Sequence, residues 1–506
     1  MKKRILTGII ALLLLLPLTG CGSKPTTDPG SSFVIPTDKT VLNVASMVDP
    51  EGLDPQKTSA TSTYEVTTNI FESLVTYDEN WNVQPRLAKD WTVAEDCMSI
   101  TFKLRDDVKF HNGRQMTAED VKFSIERLHE DDSPKKKYYK NIVDCVIEDD
   151  FTITFKTETP DPVLLTSFAY PWSVVVPKEC VDTLKTNPVG TGCFKFVEWT
   201  PQQDLKLTAN EDYYDGAPKI ANVHFQIVPD ATTAMVGIMD GSFDLVEVSG
   251  YSVDPIKNNK GVSIYSKGVN AVAVLGMNLD NEYLKNEKVR QAMASAIDKD
   301  EIINATSDGF GDKVGSYLPS SAAEYIDTND VMPYDLEKAK TLLAEAGYPD
   351  GFSIGLTLPK DYATYTNIGQ VIADQLEKIN VHCKIEMVEW AEWMQNVYTD
   401  KKYDMTVMAN TGRLSAYDFI SRFNSASGDY ISFKTGEADE ILAKLKTELD
   451  ETERVKLVQE FQMLIAEKVP VVPIESQLRL YAMNASLKGF AVYPTETTDY
   501  KYLYFE

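Results

Sequence analysis

Side-chain chemistry requires a nucleophile beside a base, a metal site, or carboxylates paired in a cleft. The 506-residue chain holds four histidines and six cysteines against 76 acidic side chains. His111, His129, His224 and His382 are scattered, and none stands three or four residues from another histidine or from a cysteine. Zinc-ligand spacing is therefore absent. No CxxC or CxxCH occurs. With Cys21 set aside, Cys97, Cys145, Cys180, Cys193 and Cys383 are an odd set. They read as buried structural thiols, with one disulfide possible. The chain has no GxSxG elbow, no HExxH, no GxxxxGK[ST] and no GxGxxG. Gly190-Thr191-Gly192 lacks the helix and lysine that a phosphate site needs, so it reads as a tight turn opening a strand. With so many acidic residues, carboxylate pairs arise by chance and carry no weight for hydrolysis. The reading is of a protein that is not an enzyme and holds no metal or cofactor.

The formal net charge of −26 excludes nucleic acid and anionic membrane surfaces as partners, since both need clustered Lys and Arg. Lys135-Lys136-Lys137 follows Glu130, Asp131 and Asp132 and reads as a solvated loop. A hydrophobic content of 43% with 25% charged residues is globular composition, and the length suits two to four domains. The 25 tyrosines and six tryptophans suit a surface that stacks on ligands.

Lys2, Lys3 and Arg4 precede an uncharged apolar run, Ile9 to Leu16, and then Pro17-Leu18-Thr19-Gly20-Cys21. This is the layout of a secretory signal, too short to span a bilayer with ordinary flanks. Leu-Thr-Gly-Cys resembles the bacterial lipobox. That resemblance implies cleavage after residue 20 and lipidation of Cys21, which would anchor the chain to the outer face of a membrane. Residues 21–39, rich in Gly, Pro, Ser and Thr, read as a flexible tether.

Elements that would position a site follow from periodicity and caps. Residues 98–110 alternate as a strand, with Ile100, Phe102 and Leu104 on one face. Thr117 and Asp120 form a capping box ahead of a helix bearing Val121, Ile125 and Leu128. Val66, Ile70, Phe71 and Leu74 have helical spacing. Beyond about 270 the texture turns from β-rich to α/β. Asp335 caps a helix that stops at Gly347, and 354–358, 368–379 and 382–388 read as a βαβ-like unit. A long helix runs from Thr452 to Lys468, and 476–506 reads as short β-like pieces. No repeat of fixed period appears.

Six segments in order resemble the extracellular solute-binding proteins of ABC importers, family 5, the peptide/nickel type. The longest is LVTYDENWNVQPRLAKDWTVAEDCMSITFKLRDDVKFHNGRQMTAEDVKFSIERL, Leu74 to Leu128. VGTGCFKFVEW (189–199), NEDYYDGAPKI (210–220), IMDGSFDLV (238–246), VRQAMASAIDKDEII (289–303) and YDLEKAKTLLAEAGYPDGF (334–352) complete the set. Cys193-Phe194 stands where the family usually has Pro-Tyr. The resemblance implies an α/β, two-lobed fold of the periplasmic-binding-protein type (type II, cluster C), with an extra subdomain in the first lobe. It places lobe I at 40–269 with its subdomain at about 75–185, lobe II at 270–475, and a return to lobe I at 476–506. It also implies a monomeric receptor that captures a small solute between its lobes and delivers it to ABC-transporter permease subunits.

In peptide-binding members an aspartate after a strand and a Trp-Thr-Gly-like turn grips the ligand's amine. The matching segment is MANTGRLSAYDF, 408–419, with Arg413 at that position and Asp418 five residues later. The carboxylate-holding arginine of dipeptide binders is absent from DYATYTNIG, 361–369. Arg413 either faces the cleft, where a guanidinium favours carboxylate or phosphate, or pairs with Asp418 or Asp404 in the fold. Tyr417, Trp390, Tyr170 and Trp172 complete the candidate ligand-binding residues. The solute is expected to be a peptide or peptide-like molecule. The alternatives are an opine-like or modified amino acid, another anionic solute, a nickel chelate or an oligosaccharide. A surface hydrolase lacks its nucleophile, and an adhesin lacks its repeats.

Overall fold

Two long strands, Val262–Met277 and Val471–Asn484, run antiparallel beside each other through the middle of an eleven-stranded sheet. The computed structural model describes residues 39–506 apart from Asp132, Gly412 and Glu496, and only the backbone of Asn410. The expected signal peptide, Cys21 and the expected tether up to residue 38 lie outside the described residues. Those from Lys39 onward belong to one compact unit, Thr37–Glu506.

On one side of the crossing pair the sheet continues through Met405–Thr411, Phe352–Pro359 and Val381–Val388. On the other it continues through Leu245–Val248, Val41–Ser46, Asn222–Ile227, Asp204–Ala209 and Phe194–Thr200. The pairing of the crossing strands shifts register between Gly268 and Val272 and again between Ala273 and Val274. Such bulges bend and twist a strand locally. The hydrophobic cores sort accordingly. Two draw on residues from Val272 to Ile474. Two others join residues between Leu42 and Ala271 to the returning segment from Tyr481 to Leu503.

A separate antiparallel sheet has the order Ala88–Val93, Ser99–Leu104, Thr152–Thr157, Ile142–Asp149. Ile100, Phe102 and Leu104 are buried as their alternation requires, and helix Ala118–Leu128 turns Val121, Ile125 and Leu128 into the same core. The Asp120 carboxylate accepts from the Thr117 N–H, closing the N-terminus. Strand Phe352–Pro359, helix Ala363–Glu377 and the parallel strand Val381–Val388 form the expected βαβ unit. Its helix starts five residues before the expected apolar stripe, and its first turn already buries Tyr365 in the same core as Ile368 and Ile372. Asp335 and Asp450 cap the helices Leu336–Glu345 and Glu451–Lys468.

Four expectations are corrected. The helix near Val66 is Thr61–Thr67, so Ile70, Phe71 and Leu74 lie beyond it, buried in loop and turn. Residues 476–484 are not short pieces but the second half of a 14-residue strand. Of the five cysteines, which carry free thiols, only Cys193 is fully buried. In the basic run, Lys136 and Lys137 are exposed as a solvated loop would be, but Lys136–Tyr139 is helical and Lys135 is only 6% exposed.

The Gly190-Thr191-Gly192 turn is a point of close backbone approach. A Cβ at Gly190 would lie 2.1 Å from the Ile70 carbonyl oxygen, and one at Gly192 would lie 2.5 Å from that of Asn69. The turn leads directly into strand Phe194–Thr200.

Candidate functional site

Strand Met405–Thr411 runs parallel to Phe352–Pro359, and the chain turns at its C-terminal end into the short helix Ala416–Ile420. Arg413 lies in that turn, at the strand end where open α/β sheets bind ligands. Ser415 caps the helix by accepting from the Asp418 N–H at 3.2 Å. From the first half of the chain, Lys135, Tyr138, Tyr170 and Trp172 meet this turn. The Arg413 Nη1 donates to the Tyr138 hydroxyl, and the guanidinium carbon lies 5.8 Å from that ring's centre. The Leu414 N–H donates to the Tyr170 hydroxyl at 3.3 Å, and that hydroxyl donates to Asp418 Oδ2 at 3.2 Å. Leu414 itself is buried in the core of the small antiparallel sheet.

The aromatic rings form a cage. Tyr170 stacks on Trp172 with centroids 4.3 Å apart and planes 10° apart, while Tyr138 lies 5.4 Å from Tyr170 and 5.3 Å from Trp172. Tyr64 closes the far side, 5.8 Å from Trp172. The Lys135 ammonium sits 4.1 Å above the Trp172 ring and donates to Ser59 Oγ at 3.1 Å. Cation–π attraction of this kind reaches about 2 kcal/mol when the pair is desolvated. These groups enclose a cavity of about 210 Å³ lined also by Thr61, Thr411 and Pro494.

Among the described residues no carboxylate lines the cavity. Burial, with the nearby positive charges of Lys137 and Arg413, pulls Lys135 down from the ordinary lysine value to about 8. Burial pushes the Asp418 carboxyl up, against the opposing pull of Ser415 and Arg413. Asp404 is taken by Asn281 at 2.8 Å and by the Gly355 N–H at 3.0 Å. Among the described residues neither Asp418 nor Asp404 forms an ion pair with Arg413, and the guanidinium Nε is buried with no hydrogen-bond partner.

The six candidates thus divide. Arg413, Tyr170 and Trp172 line this cavity. Tyr417 and Asp418 line a neighbouring cavity of about 590 Å³, on which Tyr138 also borders. Trp390 lies elsewhere, stacked 5.1 Å from Trp393 and edge-on to Tyr362 over an apolar core. Sequence reasoning missed Lys135, Tyr138 and Tyr64. The one available signal was the i, i+3 placement of Lys135 and Tyr138 on a single helical face.

A third cavity, of about 390 Å³, shares Thr61 with the cage. It is lined by Asp49, Glu51, Glu65 and Glu247 beside Arg479. Among the described residues no group of three or more His, Cys, Asp or Glu is arranged to hold a metal ion, and no helix is long and apolar enough to cross a membrane. His111 is pulled down to about 4 by burial while a ring nitrogen bonds the Gly192 carbonyl.

Comparison with known proteins agrees with this architecture. The family described as bacterial extracellular solute-binding proteins, family 5, matches residues 82–430. The oligopeptide-binding protein AppA of Bacillus subtilis (strain 168) is 26% identical over 97% of both chains. HbpA2 of Haemophilus parasuis superposes with a TM-score of 0.84, at 25% identity, covering 92% of this chain and all of its own. The binding protein AgaA from A. tumefacien R10, solved with agropinic acid, superposes at 0.76 with 27% identity over 92% of this chain and 99% of its own.

Proposed function

This chain belongs to family 5 of the bacterial extracellular solute-binding proteins, and from that premise we propose that it is a lipid-anchored receptor for a peptide or peptide-like solute. The family's members are non-enzymatic, extracytoplasmic receptors that bind a small solute and deliver it to an ABC-transporter permease, and this chain has that role. The lipid on Cys21, the tether up to residue 39, and the lobe limits near 270 and 475 are parts of the proposal. Strands crossing at Val262–Met277 and Val471–Asn484 support those limits.

The observation that carries the proposal is the cage itself. Tyr64, Lys135, Tyr138, Tyr170 and Trp172 come from one side of the crossing strands, and Thr411, Arg413 and Leu414 come from the other. A solute touching both sides stabilises the closed arrangement by its differential affinity for it. Sites between domains are the commonest small-molecule pockets. The peptide reading draws on the oligopeptide-binding relative. Opine-like acids are a second reading, supported by Arg413 and by the agropinic-acid complex of AgaA.

The test is a thermal-denaturation screen of the full chain. The panel holds di-, tri- and longer peptides, N-acetylated peptides, glutathione, opine-like acids, oligosaccharides and nickel. A true ligand at about a hundredfold over its dissociation constant adds ~2.7 kcal/mol. Peptides as the stabilising class are the expected result. Stabilisation by oligosaccharide or nickel alone would reject the peptide reading.

A further inference from the structure

We infer that the cage between Tyr138 and Trp172 is the seat of a carboxylate of the solute, held jointly by the Arg413 guanidinium and the Lys135 ammonium. The inference rests on the receptor reading above and adds the chemical group that this end of the cleft selects. Three observations carry it. Among the described residues the cavity is lined by two cations and no acid. One edge of the guanidinium is committed to the Tyr138 hydroxyl, while Nε on the other edge is buried and has no partner among the described residues. Leaving a buried charged donor unsatisfied costs more than an ordinary lost hydrogen bond, so the site is complete only when an acceptor arrives. The Lys135 ammonium, which among the described residues donates to Ser59 Oγ, keeps further N–H groups for the same acceptor.

A carboxylate matches this geometry better than a larger tetrahedral anion. Its two oxygens can take Nε–H and the adjacent Nη2–H side by side in the plane of the guanidinium. The aromatic walls leave about 210 Å³, room for one small planar group rather than a whole ligand. The charge balance suits a single negative charge. Asp418 already lies within electrostatic range of Arg413 and Lys137, so the cluster of Lys135, Lys137 and Arg413 is partly answered before ligand arrives. The bulk of the solute would extend past Thr61 toward the cavity lined by Asp49, Glu51, Glu65 and Glu247.

Binding should also move a proton. Among the described residues the groups facing Lys135 are Tyr64, Trp172, Ser59, Lys137 and Arg413, none of them anionic near neutrality. A carboxylate brought beside the ammonium favours its charged form. Near pH 8, where this lysine is about half protonated, binding should take up about half a proton.

The experiment is calorimetry on the full chain with mixed-sequence tripeptides as free acids, as C-terminal amides and as N-acetylated acids. At pH 8 it is repeated in buffers of different ionisation enthalpy. Free acids and N-acetylated acids are expected to bind, and amides at least tenfold more weakly. Arg413→Gln and Lys135→Gln should each weaken the acids about tenfold or more, and Lys135→Arg should retain most of the affinity. Proton uptake should vanish in Lys135→Gln. Circular dichroism of each variant separates loss of fold from loss of the seat. Amides binding as tightly as acids, or an Arg413→Gln variant within twofold of the parent, would overturn the inference and leave the receptor reading standing. No binding by any of the three sets would instead count against the peptide-receptor reading, and against the inference with it.

Discussion

Lys135 shows how a single residue can oppose the stability of the empty protein in favour of a site. Its ammonium is buried against Trp172, with Lys137 and Arg413 nearby, and its pKa falls to about 8 from an ordinary 10.5. The unfolded chain therefore binds more protons than the folded one between about pH 8 and 10.5, and stability rises with pH across that window. Below pH 8 the penalty is present in full, on the order of 3 kcal/mol. Lys299, also pulled down to about 8 by burial, titrates in the same range, so the comparison must be differential. Urea denaturation of Lys135→Met and the parent, each from pH 7 to 10.5, should show the variant more stable at pH 7 and the gap closing as pH rises. An equal slope in both proteins would mean that Lys135 titrates normally. Arg413 was legible in the sequence because a charge of the wrong sign stands in a recognisable turn. Lys135 was not, because three consecutive lysines after an acidic stretch look like solvated surface, and only the fold lays the first of them on a tryptophan.

Among the elements, those legible in the sequence were legible through local signals. Helix Ala118–Leu128 announces itself through Thr117, Asp120 and an apolar stripe, and helix Glu451–Lys468 through its amphipathic run from Thr452 and the Pro470 that ends it. The crossing strands carry no such marks. Val262–Met277 is half-buried at its start and fully buried from Val269 to its end, so neither alternation nor a bounded apolar run describes it throughout. Within the second crossing strand lies Glu475, 2% exposed and opposite Ala273 and Lys313, with the Ser307 hydroxyl 3.3 Å from its Oε2. Burial lifts its carboxyl from 4.5 to about 7. A carboxyl raised on folding contributes stability that is complete below about pH 4.5 and is lost as pH rises through 7. The parent should therefore lose on the order of 3 kcal/mol relative to Glu475→Gln between pH 4.5 and 8. Paired thermal melts across that range read the difference directly, and parallel curves for the two proteins would refute it.

For the whole molecule, attachment and recognition belong to different parts of the chain. The proposed anchor at Cys21 and the tether behind it are sequence features, while the receptor begins near Lys39. Expressed with its leader in a bacterial host, the parent should fractionate with membranes and show a diacylglycerol mass on Cys21. Cys21→Ser should move to the soluble fraction with ligand binding intact, and a variant that remains membrane-bound would refute lipid anchoring. By itself the sequence determined the family, the α/β class and the helices that carry their own caps. Each of these is written in local spacing or in ordered motifs read without knowing which segments touch. The tertiary structure alone decided that Lys135, Tyr138 and Trp172 meet Arg413 and that Trp390 stays in a core. It also decided that the Arg413 Nε is left without a partner among the described residues. These contacts join residues some 275 positions apart, as Arg413 and Tyr138 are. Nothing in the local pattern around either residue records the other, because the crossing strands and the burial of apolar faces bring them together only when the chain has folded.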